Sequence, residues 1–235
     1  MTIAGTTALV TGANRGLGAR FVAALQDRGA ARIYATARNP SAIVASDTVV
    51  PLRLDVTDPA QIDAAAATVG ELDLLINNAG TLTGASLLDG SIDDLRLELE
   101  THLFGALAMV RTFRPALERS GGRVLNVLSV RSWIANAEDG AYAVAKSAAW
   151  AMTNSLRLAL SPSGVQVSGL HVGYMDTDMV AGVSAPKSDP RMIADLALDG
   201  VERGEYEIVA DERSRQVRAT LSAALTDMYP ELATG

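Results

Sequence analysis

The stretch LVTGANRGLG, residues 9–18, decides how the rest of the chain is interpreted. It follows a short apolar run typical of a buried strand and begins a segment with the composition of a helix. Glycines at such a junction allow a tight turn and a close backbone approach to a pyrophosphate, which the first N–H groups of the helix also attract. A glycine-containing turn without a ligand is the alternative. The spacing favours a nucleotide-binding turn formed by Gly12, Asn14, Arg15, Gly16, Leu17 and Gly18.

Short apolar runs alternate with longer helical segments outward from this turn. Strands are expected at residues 6–10, 32–36, 49–54, 72–76, 123–128, 165–170 and 206–210. Helices are expected at residues 16–28, 59–69, 92–117, 142–160 and 189–202. Connections of this length join parallel strands and place helices on both faces of the sheet. The sequence therefore predicts a doubly wound α/β fold of the Rossmann type, with a seven-stranded parallel sheet.

We expect residues 1–235 to form a single domain, because no linker or repeat interrupts the pattern. A short substrate loop around residues 174–189 and an additional helix around residues 211–225 complete the expected organisation. The alanine-rich helix at residues 142–160 has an apolar outer face, which must be covered by another copy of the chain or by this chain itself, for example by the additional helix.

The net charge of −7 argues against nucleic acids and anionic membranes as partners, since both favour a basic surface. The chain has no cysteine and two histidines, so no metal site is expected. No segment has the pattern of a leader or a transmembrane helix, so we expect a cytoplasmic protein. The expected partner is a small molecule.

The end of the second strand and the residues after it read Ala35-Thr36-Ala37-Arg38, with no carboxylate. An acidic residue here would accept a hydrogen bond from the 2′-hydroxyl of an adenosine ribose and repel a 2′-phosphate. Arg38, with Arg15 from the glycine turn, can instead bind that phosphate. Two solvated surface arginines are the alternative. The pattern favours NADP(H) over NAD(H).

Three further side chains indicate proton chemistry. Tyr142 and Lys146 are four residues apart, so a helix places them on one face. A nearby ammonium favours the phenolate and is expected to lower the pKa of the tyrosine. Ser129 directly follows the fifth strand, at the sheet edge where ligands bind in open α/β folds. Each feature alone also has an ordinary structural explanation, as a surface pair or a turn residue.

Together these motifs make the chain resemble the short-chain dehydrogenase/reductase family over nearly its whole length. The pieces occur in the family's order: Thr11 to Gly18, Asp55, Asn77 to Gly80, Ser129, and Tyr142 with Lys146. The separation of 13 residues between Ser129 and Tyr142 is also common in the family.

The resemblance implies a role for each matching residue. Ser129 would orient a substrate carbonyl, Tyr142 would donate the proton, and Lys146 would bind the nicotinamide ribose. The implied cofactor contacts are Asp55 and Val56 on the adenine, Asn78, Ala79 and Gly80 along the sheet edge, Tyr142 and Lys146 themselves, and Gly173 and Thr177 at the nicotinamide. The implied activity is hydride transfer between NADP(H) and a ketone, aldehyde or alcohol. The implied assembly is a homodimer or homotetramer formed through the two long helices.

Two positions depart from the family pattern. His102 begins the stretch HLFG, where many members have asparagine supporting a water-linked proton path to the lysine. We expect His102 to take a supporting polar role as donor, acceptor or relay, although a packed histidine is the alternative. The second departure is Val172-Gly173, where proline often precedes the glycine. His171 is interpreted as structural.

Trp133 and Tyr174 are expected to be aromatic walls of the substrate pocket. Two other functions remain open at this stage. The chain could be an NADP(H)-binding regulator or sensor without turnover, a reading that only the His102 substitution favours. The second open function is that of an epimerase or dehydratase that binds its nicotinamide tightly.

Overall fold

Seven parallel strands form one sheet in the computed structural model, which describes residues 1–234. The strands are β1 (Thr7–Val10), β2 (Arg32–Ala37), β3 (Val49–Arg53), β4 (Leu74–Asn77), β5 (Arg123–Val127), β6 (Gln166–His171) and β7 (Glu207–Val209). Their order across the sheet is β3-β2-β1-β4-β5-β6-β7. The doubly wound, Rossmann-type fold with seven parallel strands is therefore confirmed, and the strand bounds differ from the expected ones by one or two residues.

Helices cover both faces of the sheet. They are α1 (Gly16–Asp27), α2 (Pro59–Val69), α3 (Ile92–Leu99), α4 (Ala106–Ser120), α5 (Gly140–Leu160), α6 (Pro190–Arg203), α7 (Glu212–Ala219) and α8 (Leu225–Met228). One buried core lies between the sheet and α1 with α6, and it includes the fully buried Phe21 and Ile193. The other lies under α2 and α4, around Phe113 and Leu75. None of the helices within residues 1–234 is long and apolar enough to cross a membrane.

The long helix expected at residues 92–117 is divided in the structure. A π-helical segment, Glu100–Gly105, separates α3 from α4. Leu95, Leu99 and Leu103, whose spacing predicts a buried helical face, are only half-buried, whereas the polar Glu98 and His102 are buried. Such π-helical turns widen the helix by one residue and often occur at functional sites.

Two other expectations are corrected. The helix expected around residues 211–225 is shorter, because α7 begins after Asp211 and ends at Ala219. The Asp211 side chain accepts a hydrogen bond from the Ser214 N–H and so begins this helix. The expected apolar outer face of α5 is partly buried, since Ala145 and Ala149 are in the interior and Trp150 is half-buried against Trp133.

The strand order reverses between β1 and β4, so neighbouring crossovers leave in opposite directions at this point. The segments after β1, β4, β5 and β6 all emerge at the carboxyl edge of the sheet. These segments carry most of the residues that the sequence singled out. The fold alone therefore brings them to one edge.

Candidate active site

A cleft of ≈ 1040 Å³ runs along the carboxyl edge of the sheet. Its walls come from the glycine turn, the ends of β2 to β6, and the segment 174–188. Of the residues predicted to act in catalysis or binding, the cleft is lined by Gly12, Asn14, Arg15, Gly16, Leu17, Gly18, Arg38, Asp55, Val56, Asn78, Ala79, Gly80, His102, Ser129, Tyr142, Lys146, Gly173, Tyr174 and Thr177. The structure thus brings together every predicted residue except Trp133.

The glycine turn has the shape needed to hold an anionic group. Gly12 and Gly16 have positive φ values of 65° and 54°, which favour glycine. A Cβ on Gly18 would lie 2.2 Å from the Gly12 carbonyl oxygen, so the turn admits no side chain there. Among the described residues, no side chain caps the first turn of α1, and its N–H groups stay available at the cleft. These features fit a dinucleotide pyrophosphate.

Asn78 ties the end of β4 to this turn. Its side-chain Nδ2 donates to the carbonyl oxygens of Thr11 (2.8 Å) and Gly12 (3.1 Å). The Thr11 hydroxyl in turn accepts from the backbone N–H groups of Asn78 and Ala79, both at 2.9 Å. Because of these bonds, the two segments that border the cleft centre hold each other in place.

Arg38 follows β2 and is exposed at one end of the cleft. Arg15 lies on the same wall, and its guanidinium is 3.5 Å from the Asp178 carboxylate across the cleft mouth. That pair is largely exposed to solvent, so it is weak and leaves Arg15 available to a ligand. Asp55 is half-buried and accepts hydrogen bonds from the N–H and hydroxyl of Thr57.

Ser129, Tyr142 and Lys146 meet at the centre of the cleft. Ser129 lies two residues after the end of β5, and its Oγ accepts the Arg131 N–H at 3.1 Å, which orients the hydroxyl. The buried Lys146 donates from Nζ to the Val127 carbonyl oxygen at 2.8 Å. The same Nζ lies 5.6 Å from the centre of the Tyr142 ring. One helical turn of α5 thus places the ammonium over the face of the tyrosine ring.

The expected lowering of the tyrosine pKa by Lys146 is not what this arrangement produces. Desolvation raises the pKa of Tyr142 well above its ordinary value, and the neighbouring Ser129 hydroxyl opposes that effect only in part. Burial also lowers the pKa of Lys146 to about 8, although the nearby Glu98 carboxylate favours the charged form. In this structure Tyr142 is therefore firmly protonated, while Lys146 titrates near the physiological range.

His102 lies beside these groups, in the π-helical segment. Its Nε2 is 3.2 Å from Oε2 of the buried Glu98 and 2.9 Å from the Thr81 carbonyl oxygen. The imidazole contacts the Tyr142 ring edge-on, with the ring centres 5.3 Å apart. Burial and the Lys146 charge lower the pKa of His102, so the imidazole is neutral at pH 7.

Glu98 was not identified from the sequence. It is fully buried, and its Oε1 accepts the Thr83 N–H at 2.6 Å. Desolvation raises its pKa, but the hydrogen bonds from His102 and Thr83 outweigh this and leave the pKa lowered. The signal was available, because Glu98 lies four residues before His102 and a helix places such a pair on one face.

Gly173 lies where β6 opens into the cleft. Its N–H donates to Asp211 Oδ2 at 2.5 Å, so the start of α7 closes this side of the cleft. A Cβ at Gly173 would lie 3.1 Å from the same carboxylate oxygen. Thr177 and Tyr174 follow on the segment 174–188, which forms the adjacent wall. Asp211 was predicted only as the beginning of an extra helix.

The interpretation of Trp133 as a pocket wall is wrong. Its indole is buried and stacks on the His171 ring, with centres 3.7 Å apart and planes 14° from parallel. Trp150 packs edge-on against it at 6.2 Å, and the Arg218 guanidinium covers it at 5.3 Å. The tight turn after Ser129 points Trp133 behind the sheet edge, whereas Arg131 and Ile134 of the same segment line the cleft.

Comparison with known proteins agrees with this geometry. The sequence profile described as short chain dehydrogenase matches residues 6–188. A short-chain dehydrogenase of Talaromyces islandicus is 33% identical over 201 residues, which cover 82% of this chain and 68% of that protein.

Solved structures show the same similarity. A short chain dehydrogenase from Burkholderia cenocepacia J2315, in complex with NADP, is 35% identical, with a TM-score of 0.95 and full coverage of both chains. A short chain dehydrogenase/reductase from Burkholderia phymatum, in complex with NAD, has a TM-score of 0.86 and covers 100% of this chain and 97% of its own. It is 22% identical, so that likeness concerns the fold alone. On the profile match, the relatives and the fold, this chain belongs to the short-chain dehydrogenase/reductase family of oxidoreductases, which bind a nicotinamide cofactor.

Proposed function

We propose that this protein is an NADP(H)-dependent oxidoreductase that interconverts a ketone or aldehyde and the corresponding alcohol, with Tyr142 as acid and base. One observation carries the proposal. Ser129, Tyr142 and Lys146 line the same cleft as the glycine turn, so that a dinucleotide on the turn and a substrate at Tyr142 share one space. The family membership supports an oxidoreductase on independent grounds.

Tyr142, Ser129 and Lys146 have different roles in this reaction. A nicotinamide dinucleotide, when bound, supplies or accepts the hydride. In the reductive direction Tyr142 donates its hydroxyl proton to the carbonyl oxygen, which becomes the oxygen of the alcohol. Ser129 donates a hydrogen bond to that oxygen and fixes its position. Because its pKa is raised, the Tyr142 hydroxyl is protonated at neutral pH and can donate that proton. Lys146 supplies positive charge against the tyrosine ring and a donor for the cofactor ribose.

The preference for NADP(H) rests on Arg38 and Arg15. Both line the end of the cleft next to β2, and no carboxylate lies at the end of this strand to repel a 2′-phosphate. Arg38 is exposed, so its guanidinium can turn toward a phosphate without breaking a buried contact. The related Burkholderia cenocepacia protein was crystallised with NADP.

The test follows oxidation of NADPH and of NADH by absorbance, with a panel of aldehydes, aryl ketones, keto esters and quinones. We expect turnover with NADPH that falls about 10²- to 10⁴-fold in Tyr142→Phe, because the ring stays in place and the proton is lost. Saturable NADPH binding without turnover of any compound would favour a sensor. Failure to bind either nucleotide would overturn the proposal.

Cofactor choice is tested separately with Arg38→Ala. We expect KM for NADPH to rise about 10-fold or more, since a charge-assisted hydrogen bond is lost, while KM for NADH stays unchanged. Arg32→Ala is the matched control, because Arg32 is also exposed but begins β2 at the opposite edge of the sheet. Equal efficiency of the wild type with both nucleotides would refute the preference.

A further inference from the structure

Arg131 is the most buried of the arginines that line the cleft. Its side chain is 18% exposed and lines the cleft. Within residues 1–234 its guanidinium makes no hydrogen bond, and its one charged contact is a 3.5 Å approach of Nε to Asp139 Oδ1. A guanidinium has five N–H donors, and removing them from bulk water without acceptors is costly. These donors are therefore hydrated by cleft water or satisfied by a ligand.

Arg157 shows how an arginine of similar burial is normally accommodated. Its side chain is 12% exposed and bonds the Glu207 carboxylate at 2.6 Å, Asn154 Oδ1 at 2.5 Å and the Val167 carbonyl oxygen at 2.9 Å. It also bonds the Tyr206 carbonyl oxygen. Arg157 is thus saturated by the protein, whereas the N–H groups of Arg131 remain available.

The position of Arg131 places these donors next to the reacting groups. It follows Ser129 by two residues, and its backbone N–H is held by the Ser129 hydroxyl. Its partner Asp139 precedes Tyr142 by three residues and lies directly before the first residue of the same helix, where its side chain makes no capping hydrogen bond. Both charges act on the Tyr142 hydroxyl, since Arg131 lowers and Asp139 raises its pKa. Arg131, Ser129 and Tyr142 line the same cleft, so a small molecule with two polar ends has all three side chains in one space.

The Asp139 carboxylate, like the Arg131 guanidinium, is incompletely hydrogen-bonded within residues 1–234. Among the described residues its buried Oδ1 has no hydrogen-bond donor, and burial raises its pKa although Arg131 opposes this. Asp139 therefore orients the Arg131 guanidinium but, within the described chain, leaves its paired N–H donors without an acceptor. It also leaves the local charge near neutral, which suits one singly charged anion better than a dianionic phosphate. A planar carboxylate matches the two parallel N–H groups of the fork.

We propose that Arg131 is the binding site for a carboxylate of the substrate, with Asp139 as its positioning residue, so that the substrate class is an oxo acid or hydroxy acid. The inference rests on the proposed function for the reacting end of the substrate. The carbonyl or hydroxyl oxygen binds at Ser129 and Tyr142, and the carboxylate binds at the guanidinium beyond them.

The experiment uses the full chain with NADPH and a set of aryl ketones, 2-, 3- and 4-acetylbenzoate, each paired with its methyl ester. The three isomers vary the distance from the ketone to the carboxylate, and the esters remove only the charge. We expect kcat/KM for at least one acid to exceed that of its ester about 10- to 100-fold. Arg131→Met removes this preference and leaves the ester within about twofold, while Arg131→Lys restores part of it.

Arg213→Met is the matched control, because Arg213 also lines the cleft but is exposed and has no assigned role. We expect it to keep the preference for the acid. The proposal is overturned if no acid exceeds its ester in the wild type, if Arg131→Met lowers acid and ester equally, or if Arg213→Met abolishes the preference.

A binding measurement separates this inference from the proposed function. Calorimetry with the NADPH-loaded protein compares 3- and 4-acetylbenzoate with their methyl esters in wild type and Arg131→Met. Arg131-dependent binding of an acid without turnover of any ketone would support the carboxylate site while the proposed reaction fails. Turnover of acids and esters alike, with no Arg131-dependent binding, would leave the reaction standing and overturn the carboxylate site.

Discussion

The two histidines of the chain each contact a glutamate, but in opposite surroundings. His102 and Glu98, the cleft pair, lie 3.2 Å apart beside Tyr142, with side chains 3% and 0% exposed. His171 and Glu207, the rear pair, lie 2.5 Å apart behind the sheet edge, with the histidine fully buried. One pair adjoins the proposed reaction centre, and the other lies under Trp133.

The two glutamates differ in the hydrogen-bond donors that contact their carboxylates. Glu207 also accepts hydrogen bonds from Arg157 at 2.6 Å and from Trp150 Nε1 at 3.3 Å. Although desolvation raises its pKa, the bonds from His171 and Arg157 bring that pKa down to about 2. Among the described residues, Glu98 has one backbone donor besides His102, and it acts on the pKa values of Tyr142 and Lys146. The rear pair is therefore suited to hold the fold, and the cleft pair to adjust the charges at the site.

The largest expected effect is on stability, in the rear pair. Glu207→Ala should lower the free energy of unfolding by about 3–5 kcal/mol, because it leaves the buried Arg157 without its counter-charge. Urea unfolding measures the loss, and kcat per folded molecule should stay close to that of the wild type. Glu71→Ala is the control, since the exposed pair of Glu71 with Arg119 is worth about 0–1 kcal/mol. Equal losses in both variants would contradict the assigned role.

The second effect is on the pH dependence of activity, in the cleft pair. The Glu98 carboxylate favours the charged form of Lys146, whose pKa is about 8, so Glu98→Gln should lower that pKa further. If charged Lys146 is required, the alkaline limb of kcat/KM moves to lower pH. On that limb activity falls roughly tenfold for each unit by which the pKa moves.

A complete pH profile of Glu98→Gln checks this prediction, since a purely structural role would lower kcat/KM evenly at all pH values. Glu118→Gln is a suitable control, because Glu118 pairs with Arg114 on the surface of α4. An unmoved alkaline limb in Glu98→Gln would show that this carboxylate does not govern the charge of Lys146.

Much of the cleft was predictable because its residues follow strands directly. Ser129 and Asn78 come at the ends of β5 and β4, and the parallel sheet brings such ends together whatever the helices do. Asn14 and Arg38 were located by the same rule at β1 and β2. For these residues, knowing the strand order was enough to place them at one edge.

The same rule failed where the direction of a side chain depends on local geometry. Trp133 and Arg131 belong to one short turn, yet one packs on His171 and the other lines the cleft. Glu98 is a charged residue at a buried position of α3, just before the π-helical segment, and leucines at ordinary helical spacing did not reveal it. Burial also reversed the expected effect on Tyr142, since pKa values depend on solvent access that spacing alone does not report.

The smallest expected effect is on the acid stability of the cleft pair. The pKa of His102 is lowered from 6.5, so below pH 6.5 the unfolded chain binds a proton that the folded protein does not. Stability therefore falls as the pH drops, by at most about 1.4 kcal/mol for each pH unit. The Glu98 pKa is lowered from 4.5, so its contribution is lost only at lower pH, and the interval from pH 6.5 to 5.5 isolates the histidine. His102→Asn should therefore lose less unfolding free energy across that interval than the wild type in urea titrations. An identical loss in both proteins would mean that His102 is protonated in the folded state, and that the cleft pair is a charged pair rather than a neutral imidazole against a carboxylate.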